Sequence, residues 1–139
     1  MPENEKYSVK KIFDIAYAHR LLNYKGKCEN LHGHNGKIEI KIESANLDEE
    51  EMVADFNEIK EKAGKWLNDN LDHKTILCQK DPLVVLFKNT NQKLFLTEKN
   101  PTAEILCKII YDNISALGLK VKSVKFWETE TSAASYKKS

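Results

Sequence analysis

The sequence has little of the material that flexible, multidomain or membrane-spanning proteins need. Its 139 residues include only five glycines and three prolines, and no internal repeat or low-complexity tract is visible. We therefore expect a single domain over residues 1–139. The longest uninterrupted apolar run, Leu83–Phe87, is far shorter than the ~20 residues that cross a bilayer. No apolar stretch follows a basic head at the start of the chain, so we expect no secretory signal.

Cysteine and net charge are also scarce. The three cysteines, at positions 28, 78 and 107, are an odd and scattered set, which excludes a disulfide framework and favours a reducing, cytoplasmic location. Lys and Arg total 22 and Asp and Glu total 21, which leaves a net charge of +1. No general electrostatic field therefore attracts nucleic acid or an anionic membrane, and we expect neither as a partner.

Apolar residues at every second position predict two long strands. The first covers residues 7–19, with a bulge near Lys10-Lys11, and the second covers residues 36–44, where isoleucines alternate with charged residues. We expect the two strands to pair antiparallel across the polar loop that carries Lys25-Gly26-Lys27.

The middle of the chain changes to a helical period. Apolar residues three and four apart predict an amphipathic helix over roughly Asp55 to Asn70. A second helix opens at Asn100-Pro101, with a capping side chain followed by proline, and ends at Gly118. Residues 83–99 are expected to form an added hairpin or a tethered loop, and a last strand or strand pair follows Gly118. This order predicts an α+β fold with a mainly antiparallel sheet.

His32-Gly33-His34 is the strongest local motif. Residues i and i+2 of an extended chain point to the same face about 7 Å apart, so both imidazoles can reach one ion. His19 ends the preceding strand on its apolar face, and antiparallel pairing would bring it to the other two. Three neutral imidazoles suit Zn²⁺, with a fourth position open to water or substrate. The alternative is two solvated loop histidines and an unrelated His19, and the spacing alone does not decide between them.

Cys28 lies four residues before His32. It is a candidate fourth zinc ligand, a candidate thiolate base or nucleophile near the metal, or a small buried apolar residue. Nearby Arg20, Lys25 and Lys27 favour the ionised thiol and could hold phosphate groups.

Two further elements carry titratable groups. Asp72-His73 follows the first helix and is either a proton-transfer dyad or a polar turn that ends the helix. Glu128 shares the parity of Val124 and Phe126, which puts a carboxylate on an apolar face. It either reaches water at the end of the strand or accepts two parallel N–H groups from a planar heterocycle such as a pteridine or guanine.

Taken together, these elements resemble the 6-pyruvoyl-tetrahydropterin synthase / 6-carboxy-tetrahydropterin synthase family. Five matching elements occur in family order: Ala18-His19, Cys28-x-x-x-His32-Gly33-His34, Leu71-Asp72-His73, Pro101-Thr102-Ala103-Glu104, and Glu128-Thr129 with Tyr136 beyond. The three-residue gap after the cysteine is similar to that of the bacterial 6-carboxy-tetrahydropterin synthases of queuosine biosynthesis.

The resemblance implies the tunnelling fold, in which two helices pack on one face of an antiparallel sheet. It also implies that subunits assemble into an oligomeric barrel, expected here to be a trimer-based hexamer, with active sites at subunit interfaces. Zinc would bind His19, His32 and His34.

In that family pattern Cys28 would accept a proton and Asp72-His73 would relay one. Glu128 would anchor the pterin, helped by Thr102 and Glu104. The implied substrate is 7,8-dihydroneopterin triphosphate, and the implied products are 6-carboxy-5,6,7,8-tetrahydropterin, acetaldehyde and triphosphate. Lys25 and Lys27 are assigned to the triphosphate by charge and proximity alone.

Three alternatives stay open at this point. The first is a 6-pyruvoyl-tetrahydropterin synthase that acts on the same substrate without releasing acetaldehyde. The second is a non-catalytic zinc-binding module in which Cys28 completes a closed Cys-His₃ site. The third is a generic zinc hydrolase, although the sequence shows no Glu beside the ligands as a water-activating base.

Overall fold

The computed structural model describes residues 4–139, which form one six-stranded sheet with helices on one face. The strands are β1 (Tyr7–His19), β2 (His32–Ser44), β3 (Lys74–Cys78), β4 (Leu94–Thr97), β5 (Val121–Thr129) and β6 (Ser132–Lys137), in the spatial order β4-β3-β1-β2-β5-β6. The first three helical segments, α1 (Phe56–Ile59), a π-helical turn (Lys60–Gly64) and α2 (Lys65–Asn70), are continuous and form one rod over residues 56–70. The other helices are α3 (Leu83–Lys88) and α4 (Ala103–Ala116).

The hairpin of β1 and β2 is the centre of the sheet. Its antiparallel register runs without a shift from Tyr7 opposite Ser44 to His19 opposite His32. The bulge predicted near Lys10-Lys11 is therefore wrong. Lys11 keeps the alternation because a lysine can half-bury its aliphatic stem on the core face while its ammonium reaches water.

One edge of the sheet was not predicted. β3 pairs parallel with β1, and β4 pairs parallel with β3, whereas all other pairs are antiparallel. Parallel neighbours need a crossover connection. α3 supplies the crossover between β3 and β4. Residues 83–99 therefore contain a helix and a strand, and the expected hairpin or tethered loop is wrong. The strand pair predicted after Gly118 is confirmed as β5 and β6.

The core lies between the sheet and the two main helices. Its members include isoleucines of β1 and β2, one face of the rod over residues 56–70, and the stripe of α4, with Ile15, Ile38, Ile40, Ile59, Leu67, Leu106, Ile110 and Phe126 all below 5% exposed. Cys78 and Cys107 are buried with them. Among residues 4–139, no helix is both long and apolar enough to cross a membrane.

The second main helix begins two residues later than its sequence suggests. The side chain that caps α4 belongs to Thr102, which accepts from the Ile105 N–H at 3.2 Å, and not to Asn100. Asn100 is engaged with the backbone of Leu22 instead. Gly118 ends the helix as predicted, with a φ of 98° that favours glycine.

A buried ion pair joins the end of β1 to the start of α3. Arg20 donates to both carboxylate oxygens of Asp81, at 2.7 and 2.5 Å, and the Asp81 side chain has no exposed surface. Asp81 also accepts from the Leu83 N–H at 2.9 Å. The hydrogen-bonded Arg20 guanidinium holds the pKa of Asp81 below its usual range. This pair fixes the chain directly after His19.

We expect Asp81→Asn to lower the free energy of unfolding of the metal-free protein by about 1–3 kcal/mol at pH 7, because it removes the charged partner of Arg20. The folded-state pKa of Asp81 lies below the unfolded value of about 3.9, so its stabilisation is complete above that pH and is lost as the pH falls through the folded value. Urea unfolding should therefore show that the difference in free energy of unfolding between Asp81→Asn and wild type narrows below about pH 4.

The matched control is Asp112→Asn, which breaks the exposed Lys108–Asp112 pair (2.7 Å) one turn apart on α4. It should cost less than about 0.5 kcal/mol. Equal losses in the two variants would show that the Arg20–Asp81 pair contributes no more than a surface pair.

Candidate metal and active site

Three histidines and one glutamate converge at the end of the β1–β2 hairpin. One ligand atom from each of His19, His32, His34 and Glu128 lies within 4.8 Å of all the others. The register places His19 opposite His32, and His34 follows on the same face of β2. Glu128 arrives from β5, on the same face as Phe126. The three imidazoles that the spacing could only suggest are thus brought together by the fold.

The orientation of His19 is set by the start of α4. Its Nδ1 lies 2.8 Å from the Pro101 carbonyl oxygen. A carbonyl only accepts, so Nδ1 carries the proton and Nε2 carries the lone pair. His19 is only 2% exposed, and this burial lowers its pKa, although the Pro101 contact and Glu128 oppose that shift. The ring is therefore neutral, as a metal ligand must be.

The other two rings differ in what contacts them. His32 has its Nδ1 2.6 Å from the Asn30 carbonyl oxygen, which assigns the proton to that nitrogen and leaves Nε2 free. His34 has its Nε2 3.1 Å from a Glu128 oxygen, without hydrogen-bond geometry, and burial lowers its pKa.

These atoms fit a divalent cation. The buried Nε2 atoms of His19 and His34 have no hydrogen-bond partner, which is uncommon and costs about 1–3 kcal/mol for each group. The Glu128 carboxylate lies 3.8 Å from the first and 3.1 Å from the second. Neutral nitrogens with lone pairs facing an anion have nothing to bind unless a cation lies between them. Zinc accepts this mixture of nitrogen and oxygen ligands.

Glu128 is the fourth group of the cluster, and Cys28 is not. Cys28 lies half-buried in a short 3₁₀ turn, Lys27–Glu29, and its sulfur is not part of the ligand set found among residues 4–139. The structure therefore leaves Cys28 outside this ligand set, and the closed Cys-His₃ site stays an alternative that zinc analysis of Cys28→Ala tests. The view that no Glu lies beside the ligands is wrong, because β5 brings Glu128 there from 94 positions beyond His34.

Tyr17 is a neighbour of the site that the sequence motifs did not single out. Its ring centroid lies 5.2 Å from that of His19 and 5.5 Å from that of His34. Gly36 makes room for it, since a Cβ there would lie 3.3 Å from Tyr17 Cε1. The hydroxyl is buried without a partner, and burial raises its pKa, with a further contribution from the charge of Glu128. Tyr17 is thus a neutral phenol beside the metal ligands.

Asp72 and His73 form the expected contact, with Asp72 Oδ2 3.0 Å from His73 Nδ1. Asp72 Oδ1 also accepts from the Ala16 N–H at 2.8 Å. Burial would raise the pKa of Asp72, but the bonds from Ala16 and His73 lower it overall. Ala16 is three residues from His19, or about 10 Å along β1, and the His73 side chain is 80% exposed. The dyad is therefore assembled outside the metal cluster.

The basic residues of the loop divide into two groups. Arg20 is bound to Asp81 through its Nε and one terminal nitrogen, so its charge already has a partner within the chain. Lys25 and Lys27 are exposed, and neither forms an ion pair within the described part of the chain. At the start of α4, Thr102 is half-buried and Glu104 is exposed, next to the Pro101 carbonyl that holds His19.

Comparison with known proteins decides the family. The family model described as 6-pyruvoyl tetrahydropterin synthase matches residues 8–139. The chain belongs to this family. The 6-carboxy-5,6,7,8-tetrahydropterin synthase of Aquifex aeolicus is 40% identical over 124 residues, which are 80% of this chain and 76% of that one. The enzyme of the same name from Haemophilus influenzae is 32% identical over 94% of this chain and 98% of its own.

Another relative matches over a shorter region. A 6-carboxy-5,6,7,8-tetrahydropterin synthase of Rickettsia bellii is 42% identical over 88 residues, which span 62% of this chain and 64% of that protein.

Solved structures agree on the fold. An uncharacterised protein of Wolinella succinogenes superposes with a TM-score of 0.79 at 25% identity, covering 98% of this chain and 100% of that one. The 6-pyruvoyl tetrahydropterin synthase of Caenorhabditis elegans gives 0.72 at 23% identity, with 97% of each chain covered. The predicted fold of the family, a mainly antiparallel sheet with helices on one face, is confirmed.

We expect His32→Ala to lose bound zinc and Cys28→Ala to retain it, because the imidazole belongs to the cluster and the thiol does not. Zinc content after dialysis against metal-free buffer, measured by atomic emission, checks both variants. His73→Ala is the matched control, since it removes an imidazole outside the cluster and should keep the metal. Loss of zinc from Cys28→Ala as severe as from His32→Ala would contradict this ligand set.

Proposed function

We propose that this protein is a zinc-dependent 6-carboxy-5,6,7,8-tetrahydropterin synthase. In this proposal it converts 7,8-dihydroneopterin triphosphate and one water molecule to 6-carboxytetrahydropterin, acetaldehyde and triphosphate, in the cytoplasm and within queuosine biosynthesis. The observation that carries the proposal is the cluster of His19, His32 and His34, in which the buried Nε2 atoms of His19 and His34 face Glu128. The names of the Aquifex and Haemophilus relatives favour the carboxy reaction over the pyruvoyl one.

The three histidines would hold the zinc ion. When bound, zinc polarises hydroxyl and carbonyl oxygens of the substrate side chain, which makes neighbouring protons easier to remove. The protein's own contribution is to fix the tautomer and the orientation of the imidazoles. The carbonyl oxygens of Pro101 and Asn30 do this for His19 and His32 by fixing the proton on Nδ1.

Two separate groups would move protons. A tautomerisation followed by carbon–carbon cleavage needs proton transfer at more than one position of the side chain. Cys28, which is half-buried on the loop between β1 and β2, would accept a substrate proton at its sulfur. His73, oriented through Nδ1 by Asp72, would exchange a proton at its exposed Nε2. The Ala16 N–H holds the Asp72 carboxylate and so fixes the imidazole indirectly.

Substrate binding would use the groups around the cluster. Glu128 is 25% exposed and so has a face open to a ligand, which supports contact with the pterin or its side chain. We assign Thr102 and Glu104 to the same ligand because Pro101, directly before them, touches His19. Lys25 and Lys27 are assigned to the triphosphate, since both are exposed cations on the loop that also carries Cys28.

We further propose that the working unit is a homo-oligomer, a trimer-based hexamer, with each site completed by a neighbouring chain. Three features support this. The dyad of Asp72 and His73 is displaced from the metal cluster along β1, the His73 side chain is 80% exposed, and β4 and β6 each have one unpaired edge within the described chain.

The product assay is the primary test. Zinc-loaded protein incubated with 7,8-dihydroneopterin triphosphate should release acetaldehyde in step with 6-carboxytetrahydropterin, detected by a coupled alcohol dehydrogenase and by chromatography. Cys28→Ala, with its zinc retained, should lose at least about 100-fold in turnover because a proton acceptor is gone.

Two results would go against the proposal. Abundant 6-pyruvoyl product without acetaldehyde would favour the second candidate, a 6-pyruvoyl-tetrahydropterin synthase, whose name the matching family model and the Caenorhabditis structure carry. Absence of either product from zinc-loaded protein would favour a non-catalytic metal-binding role.

Subunit complementation tests the shared site. His32→Ala and His73→Ala should each be inactive alone, but mixed oligomers purified through two different tags should recover about a quarter of wild-type activity, since that fraction of interfaces pairs an intact metal site with an intact dyad. Mixed oligomers of His32→Ala and His34→Ala are the control and should stay inactive, because both changes remove ligands of one cluster. No recovery in the first mixture would put the dyad and the metal in one chain's site.

A further inference from the structure

The four residues that end β1 and begin the next loop, His19 to Leu22, are each held by a contact of their own. His19 donates from Nδ1 to the Pro101 carbonyl at 2.8 Å, and Arg20 pairs with Asp81. The Leu21 N–H donates to the Cys28 carbonyl at 2.8 Å. Leu22 is held by Asn100. A metal ligand and the residues after it are thus fixed one by one.

Asn100 binds Leu22 at two points. The side-chain oxygen of Asn100 accepts from the Leu22 N–H at 2.7 Å, and its NH₂ donates to the Leu22 carbonyl at 2.8 Å. The two bonds together define which end of the amide is oxygen, because only one orientation satisfies both backbone groups. The pairing replaces the strand neighbour that Leu22 has lost on leaving the sheet.

The short segment Asn100-Pro101 therefore contacts both His19 and the start of the loop that carries Cys28. The backbone carbonyl of Pro101 holds the metal ligand His19, while the side chain of Asn100 holds Leu22. Leu21 lies directly before Leu22 in the chain, and its N–H donates to the Cys28 carbonyl across the loop. A displacement at Leu22 is passed to Leu21 through one peptide bond, and from there to the turn that carries the Cys28 thiol.

We propose that Asn100 is a positioning residue that fixes the Cys28 thiol relative to the metal cluster by clamping the backbone of Leu22. Its effect on turnover rests on the proposed function, but its effect on the placement of Cys28 does not. Asn100 itself needs no contact with substrate. It acts because near-attack geometry depends on ångström-scale placement, and misplacement of that size can cost about 100-fold in rate.

The cysteine content makes the placement measurable. Cys78 and Cys107 are buried, whereas Cys28 is half-buried, so alkylation of the native protein by iodoacetamide reports Cys28. Cys28→Ala, which should alkylate only on unfolding, verifies this assignment.

Asn100→Ala removes both bonds to Leu22. We expect it to keep its zinc, to alkylate at least about fivefold faster, and to lose about 10- to 100-fold in kcat with KM within about threefold of wild type. Asn100→Asp keeps the acceptor for the Leu22 N–H but loses the donor, so it should give intermediate values, and it replaces the alanine variant if that protein does not fold. Asn113→Ala is the matched control, because Asn113 lies on α4 and bonds only to the Ile109 carbonyl of its own helix.

The outcomes separate three cases. Variants at Asn100 with a lower melting temperature but wild-type alkylation and kcat would overturn the inference, because the clamp would then be structural only. Loss of zinc would also overturn it, since the effect would pass through His19 and not through the Cys28 loop. If wild-type protein makes no pterin product, the proposed function fails. The alkylation rate of the Asn100 variants still decides the role of Asn100, because a faster rate supports the inference and an unchanged rate overturns it.

Discussion

The candidate metal site depends on one hydrogen bond, from His19 Nδ1 to the Pro101 carbonyl oxygen. The bond fixes the tautomer of a ring that is 2% exposed, so the lone pair on Nε2 has to face His34 and Glu128. Burial lowers the pKa of His19, which disfavours a second proton on the ring. The same bond attaches the start of α4 to the end of β1, so helix docking and ligand orientation are one interaction.

The unbroken register of β1 against β2 makes the core and the metal site a single pattern. Ile38, Ile40 and Ile42 fill the core from the same face of β2 that carries His32 and His34. A slip of one residue would turn every one of these side chains to the other face of the sheet. The apolar residues therefore define where the imidazoles point, and the site needs no separate device to select the face.

Periodicity in the sequence predicts the features that depend on near neighbours. The β1–β2 pair, the rod over residues 56–70 and α4 all follow from repeats of two or of three and four residues, while the histidine spacing only makes the cluster a candidate. The parallel edge of β3 and β4 does not, because its short elements have too few residues for a period. Glu128 and Asn100 were misjudged for another reason: their partners, His34 and Leu22, are 94 and 78 positions away in the chain.

The Asp72–His73 dyad is held in place by contacts within its own chain. His73 has a φ of 58°, in the left-handed region that costs a non-glycine residue about 1–3 kcal/mol. Two hydrogen bonds with Ala16 hold this conformation. The His73 N–H donates to the Ala16 carbonyl, and the Ala16 N–H donates to the Asp72 carboxylate. A turn that only ended a helix would have no need to aim an exposed imidazole in this way. The fixed, outward geometry is what a proton relay would require if its substrate were bound by the metal cluster of a neighbouring subunit.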